Sequence, residues 1–285
     1  MKRIDIGVLH PGAMGAWLAR SAVNTGHRVF WVSAGRSDKT RRRAEDSGLA
    51  ECQSLTQLCR QCSLIISVCP PQDAETLAGE VVQSGFQGLY ADVNAISPDH
   101  ARRIASILGA AGIQMVDGGI IGVPTSKPDT TWLYLSGDSA QRVADCFASG
   151  PLATEVLGGE VGSASALKMC YAARTKGTVA LWCAILAAAE KLGVRTTLER
   201  HWAQHEPALA REVNAATTNV ADKAWRFAPE MQEITQTLTQ AGLPGGFHEA
   251  ATEVYRRLAV FKNAEHQPDI RDVVDTLLGS FELHS

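Results

Sequence analysis

The chain has 285 residues, of which 45% are apolar and 20% charged, with a formal net charge of -3. This length provides for sizeable buried cores, the composition excludes a disordered chain, and the charge gives no overall attraction to nucleic acid or an anionic bilayer. The longest apolar run, 178–189, lies between Lys176 and Glu190 and falls well short of the roughly 20 residues of a membrane helix, so a buried helix and no membrane partner are expected.

In chain order, β-rich runs at 4–9, 28–32, 64–68, 89–93, 114–117 and 132–135 alternate with helical patterns at 15–25, 39–47, 73–83 and 98–111. Each helical pattern is closed by Gly, Asn or Ser. Such alternation predicts an α/β domain with a doubly wound parallel sheet. The pattern changes near Gly150 and Pro151, and no proline occurs from Leu152 to Glu206. A run from Ser163 to the stop at Gly193 predicts one helix of about 30 residues, about 45 Å long. The remainder reads as helices broken by Pro and Gly. The expected organisation is a Rossmann domain at 1–160 and an all-α domain at 161–285, with a long interdomain helix.

Seven cysteines are present, and the spacing of Cys52, Cys59, Cys62 and Cys69 raises a metal cluster or a disulfide framework. Neither is expected: Cys59 and Cys62 fall on a short helix, Cys69 ends a strand, and no second Cys-x-x-Cys pair completes a tetrahedral site. Unpaired thiols suit a reducing cytoplasm, and a strand pattern beginning at Arg3 leaves no room for a signal peptide. A cytoplasmic location is therefore expected. His201 and His205 have metal-ligand spacing beside Glu206, but without a third ligand they read as a solvated helix face.

After the first strand comes His10-Pro11-Gly12-Ala13-Met14-Gly15, opening into a helix. In a dinucleotide turn the second glycine admits the pyrophosphate, the third lets helix pack on strand, and the helix N-terminus supplies N–H donors. Gly12 and Gly15 hold those places, while His10 stands where the first glycine would be. An NAD-preferring site carries Asp or Glu after the second strand, and here Ser33, Arg36 and Ser37 follow it instead. A hydroxyl with a guanidinium suits a 2′-phosphate, so NADP (NADPH) is the expected cofactor. Arg41, Arg42 and Arg43 are read as solvating a helix. Val68, Cys69, Pro70 and Asn94 are assigned to the same cofactor, and no metal is expected.

These residues resemble the β-hydroxyacid dehydrogenases, the superfamily of 3-hydroxyisobutyrate and 6-phosphogluconate dehydrogenases. Four segments carry the resemblance in order: 7–15 is similar to the cofactor turn, 92–98 to a strand-end segment, 117–122 to the substrate loop, and 162–171 to the helix bearing the catalytic lysine. The end of the chain, including Gly242 to His248, is similar to the helical C-terminal domain of one branch. The resemblance implies that Lys168 is the acid/base, that Gly118, Gly119, Ile120, Ile121 and Gly122 meet the substrate, and that Glu233 and His248 are further substrate contacts. Three departures stand out. Ile121 replaces a Ser that helps hold a substrate carboxylate, Tyr171-Ala172 replaces an Asn pair, and Pro229-Glu230 aligns where a Lys-Asp pair is common.

Hydride transfer at a carbinol carbon needs a group that takes or gives the oxygen's proton. Lys168 is expected in that role rather than snorkelling to the surface. Tyr171, three residues on, shares its helical face and is the second catalytic candidate, with core packing as its alternative. Arg174 could meet an anionic substrate or face solvent. The expected function is an NADP-dependent oxidoreductase acting on a hydroxy acid or related alcohol, as a homodimer paired through the apolar run 178–189. An imine reductase of similar architecture and a catalytically silent NADPH-binding sensor are the alternatives.

Overall fold

The computed structural model describes residues 2–262, 264 and 266–279. The chain divides into two compact units, Met1–Met169 and Cys170–Ser285.

The first unit runs β1 (Asp5–Val8), α1 (Ala13–Asn24), β2 (Arg28–Val32), α2 (Asp38–Asp46), β3 (Ala50–Cys52), α3 (Leu55–Gln61), β4 (Leu64–Ser67), α4 (Ala74–Gln83), β5 (Leu89–Asp92), α5 (Pro98–Ala110), β6 (Gln114–Ile121), β7 (Thr131–Ser136), α6 (Ala140–Ala144) and β8 (Leu152–Val156). Its strands form one sheet in the order β3-β2-β1-β4-β5-β6-β7-β8. Every pairing is parallel except β6 with β7. The parallel strands are continuous apolar runs such as Leu64-Ile65-Ile66, as expected where both faces are covered. One face packs Ile6, Val8, Leu18, Ile66 and Leu133 into a core; the other packs Ile65, Leu77, Tyr90 and Ile104 into a second. This is the predicted doubly wound sheet. Ser37, Ser54 and Ser97 accept from backbone N–H groups at the starts of α2, α3 and α5, which fixes where those helices begin.

Helix α7 (Ser163–Lys191) has 29 residues, matching the predicted long helix, and continues into the second unit. That unit is otherwise α8 (Arg195–His205), α9 (Pro207–Val220), α10 (Ala224–Gln240), α11 (Gly246–Leu258) and α12 (Ile270–Gly279). Pro229 lies inside α10. Two side chains of α11 hold the middle of α7: Tyr255 donates its hydroxyl to the Lys176 carbonyl at 2.6 Å, and His248 Nε2 donates to the Ala173 carbonyl at 3.2 Å. Gly177 makes room for that imidazole, since a Cβ there would lie 2.8 Å from His248 Nε2. Among the described residues no helix is long and apolar enough to cross a membrane.

Two differences from the sequence reading concern strands. β3 and β8 were not expected, and β6 runs four residues beyond Asp117. The segment Gly118 to Ile121, anticipated as a loop, is the half of β6 that pairs with the antiparallel β7, Gly119 opposite Tyr134 and Ile121 opposite Trp132. The irregular loop is 122–130. Trp17 of α1 holds it by donating its indole N–H to the Thr125 carbonyl at 2.9 Å.

Candidate active site

The chain runs outward from β1 through β2 and β3, then returns to β4 on the other side of β1. At such a switch point the carboxyl ends of two strands frame a ligand crevice. The turn from His10 to Gly15 leaves β1 there, and Val68-Cys69-Pro70 leaves β4. A Cβ at Gly15 would overlap the His10 carbonyl oxygen and sit 3.6 Å from Val68 Cβ, so glycine alone lets α1 begin this close to the strand. Gly12 is exposed with open space around it, and Ala13 beside it is exposed as well. Helix α1 has no side-chain cap, which leaves its first backbone donors for an anion. Pro11 is buried and Met14 half-buried against the core.

No carboxylate occupies the corner from Ser33 to Ser37 after β2. The Ser33 carbonyl accepts from Arg36 N at 3.2 Å and from Arg41 Nη2 at 2.8 Å, and Arg41 Nη1 bonds Glu51 at 3.1 Å. Arg41 thus braces the corner, beyond the solvating role expected of it. Ser37 spends its hydroxyl capping α2. Arg36 is half-buried, and its Nε has no partner among the described residues; the same holds for His10 Nδ1. Burial, with the Arg36 cation nearby, holds the His10 imidazole down to about 4, against an opposing pull from Asp73. Two buried nitrogens without partners and a glycine in open space fit a nicotinamide dinucleotide.

Asn94 is buried and occupied within the protein. Its Oδ1 accepts from Cys69 N at 2.6 Å, and its Nδ2 donates to Ser67 Oγ and Asp92 Oδ2 at 3.0 and 2.9 Å. It ties the loop after β4 to the end of β5, so its part in the site is to fix the Cys69 backbone. Burial pushes the Cys69 thiol up to about 12, which leaves it protonated near neutrality. Asp92 is fully buried, and burial, with the Asp117 carboxyl opposite on β6, raises its pKa to about 7.

Asp117 is the residue that sequence reasoning missed. Its Oδ2 accepts from Ser136 Oγ, Gly162 N and Ser165 N at 3.0, 2.9 and 3.0 Å, and its Oδ1 from Ser165 Oγ at 2.6 Å. A buried carboxylate on a strand therefore grips the first turn of α7, where backbone N–H groups lack helical partners. One turn later Lys168 comes down on β6: a Cβ at Gly119 would lie 2.8 Å from both Lys168 Cβ and the Ala164 carbonyl oxygen. The structure thus sets Gly119 against Lys168, with Ile121 on the same face of the strand, while Gly118 faces Val93 and Leu135 and Gly122 faces Thr131. Ile120 points the other way, into the core, and is corrected from substrate contact to packing residue. The signal for Asp117 was present as an acid opening the segment, but its partners lie 45 and 48 residues away.

In the second unit Tyr171 is 42% exposed, so the core-packing alternative fails. Arg174 is exposed. Glu233 is buried on α10, and His248 is committed to the α7 backbone. Glu230, in the aligned Pro229-Glu230 pair, forms an ion pair with Lys176, whose ammonium lies 4.5 Å from the Phe227 ring centroid. The rings of His201 and His205 lie 4.5 Å apart on exposed residues.

Residues 5–148 match the NAD binding domain of 6-phosphogluconate dehydrogenase. The chain belongs to that family. The chain also matches a domain of unknown function, DUF1932, at residues 189–258. An uncharacterized 28.5 kDa protein from Methanothermus fervidus is 31% identical over 160 residues, which is 56% of this chain and 61% of that protein, less than two thirds of its length. The solved structure of the conserved protein MTH1747, described as similar to 3-hydroxyacid dehydrogenases, is 26% identical over 90% of this chain and 98% of its own, with a TM-score of 0.65. A 3-hydroxyisobutyrate dehydrogenase from Mycobacterium tuberculosis, solved with L-serine, has a TM-score of 0.68 over 97% of this chain and 99% of its own. At 18% identity that likeness establishes the fold.

Proposed function

We propose that the protein is an NADP-dependent oxidoreductase that interconverts a hydroxy acid or related alcohol and its carbonyl product, with Lys168 as acid/base. The observation that carries this reading is the seating of Lys168 on Gly119, at the end of a strand whose Asp117 fixes the helix start. Gly12, Gly15, Val68 and the Ser33 to Ser37 corner would hold the dinucleotide, with Arg36 toward a 2′-phosphate. The bound nicotinamide supplies a hydride acceptor or donor for the carbinol carbon. Lys168 does the proton work: as a neutral amine it takes the hydroxyl proton during oxidation, and as an ammonium it returns one during reduction. Gly119 and Ile121 offer backbone and apolar surface on its side of the strand, with Gly118 and Gly122 next to them in the chain, and Tyr171, Glu233 and His248 are the substrate contacts proposed within the second unit.

The same reading assigns residues 1–160 to the cofactor and 161–285 to substrate and dimerisation. Support for a homodimer comes from α7 and the turn that follows it, where Leu181, Ala184 and Ala188 are exposed on the helix and Leu192, just after its end, is 75% exposed. Seven free cysteines suit a cytoplasmic location. The deciding experiment is a screen of NADPH and NADH turnover over hydroxy acids, aldehydes and cyclic imines. Turnover with hydroxy acids or aldehydes supports the proposal, preference for cyclic imines selects a reductase of the C=N bond, and tight NADPH binding without turnover on any substrate selects a sensor.

A further inference from the structure

We propose that His10 recognises the charge of a 2′-phosphate by taking up a proton as the dinucleotide binds, so that cofactor choice in this chain is proton-coupled. The inference rests on the NADP reading above and assigns a role to the residue that replaces the first glycine of the turn. His10 follows β1 by two residues and Ser33 follows β2 by one. Gly7 and Phe30 are register partners on those strands, and each precedes its residue by three positions, so His10 and the Ser33 to Ser37 corner leave neighbouring strand ends.

Two buried nitrogens there, His10 Nδ1 and Arg36 Nε, have no partner among the described residues. The charged groups that act on the ring are Arg36, from the corner after β2, and Asp73, from the turn before α4. Burial and Arg36 together outweigh Asp73, so the ring is uncharged at neutral pH. A phosphate dianion beside Arg36 reverses that balance: it cancels the repulsion from the guanidinium and gives an imidazolium an anionic acceptor. A proton then passes from solvent to the ring. A 2′-hydroxyl carries no charge and leaves the ring as it was.

The test is calorimetry of NADPH and NADH binding at pH 7.0 in two buffers with different heats of protonation, on the parent protein, His10→Asn and Arg36→Ala. A phosphomonoester with its second pKa about 6 is already mostly a dianion at this pH, so it contributes little of its own. The expected result is uptake of roughly half a proton or more with NADPH and almost none with NADH. His10→Asn should abolish the uptake and weaken NADPH by about three- to tenfold more than it weakens NADH, whose binding also reports a folded site. Tighter binding of NADPH than NADH with no buffer-dependent heat would overturn the role of His10 and leave the cofactor reading standing. So would uptake that persists in His10→Asn. Equal affinity for the two dinucleotides would remove the cofactor reading and this proposal together.

Discussion

Lys168 rests on Gly119 so closely that a β-carbon at Gly119 would lie 2.8 Å from that of the lysine. The contact sets the depth at which the lysine's stem meets the sheet, and the Asp117 grip on the preceding turn sets its rotation.

If Lys168 moves the proton, Lys168→Ala should lower turnover by roughly 10²- to 10⁴-fold. Affinity for NADPH should barely move, because Gly12, Gly15 and the β2 corner hold it independently. Lys168→Arg should not rescue, since a guanidinium keeps its proton near neutral pH. Steady-state kinetics with a substrate from the screen, and circular dichroism for folding, check these outcomes. A folded alanine variant with most of its turnover would move the role, with Tyr171 next to test.

Asp117→Asn should cost stability, since one oxygen that accepts cannot replace two that receive Ser136, Gly162 and Ser165. Buried donors left unpaired cost about 1–3 kcal/mol each, so a loss of roughly 2–4 kcal/mol is expected by urea denaturation. Turnover should fall further than the folded fraction does. A variant as stable as the parent would show that the α7 start is held by something else.

Asp92 gives the pH dependence. Its folded-state pKa of about 7 lies above the ordinary 3.8, so between these values the folded chain keeps a proton that the unfolded chain has lost. Stability from this group should therefore decline as pH rises from about 4 to about 7 and level off above, by at most about 4 kcal/mol. Subtracting the profile of Asp92→Asn from that of the parent isolates this slope; parallel profiles would mean that Asp92 is ionised in the fold throughout.

Arg36→Ala should erase most of an NADPH preference of at least tenfold, about 1.4 kcal/mol. Titration of both dinucleotides into both proteins reads the change. Equal affinities in the parent would assign Arg36 to packing alone.

Light scattering at micromolar concentration should give twice the chain mass. Leu181→Glu with Leu192→Glu should shift the protein toward monomer, because the charges fall on exposed apolar surface of α7 and the turn after it. A monomeric parent would end the dimer proposal.

The sheet was legible from its periodicity, because β1, β2, β4 and β5 are apolar runs separated by amphipathic helices that end in Gly or Ser. β3 escaped because its three residues include two exposed ones, which leaves no alternation to see. β8 carries exposed Glu155 and Val156 at an edge, and β6 hid its second half behind Gly118-Gly119, residues with poor strand preference. In the candidate site, the placing of Gly12 and Gly15 follows from the turn after β1, and the proposed role of Lys168 leans on the family resemblance. The Asp117 grip was not legible, since a carboxylate that bonds backbone amides 45 residues on leaves no local pattern. Asn94 was recognised as a site residue, but the exhaustion of its amide by protein partners emerges only from distances.

The meeting of Gly177 with the His248 imidazole has a consequence for how such sequences diverge. A methyl group at 177 would meet the His248 imidazole at 2.8 Å and push the ring off the Ala173 carbonyl, and a smaller residue at 248 would leave both a gap and an unmet Ala173 carbonyl contact. Neither position can drift by itself without cost, so among homologues in which 177 is not glycine, residue 248 should be smaller than histidine, and the two should change as a pair.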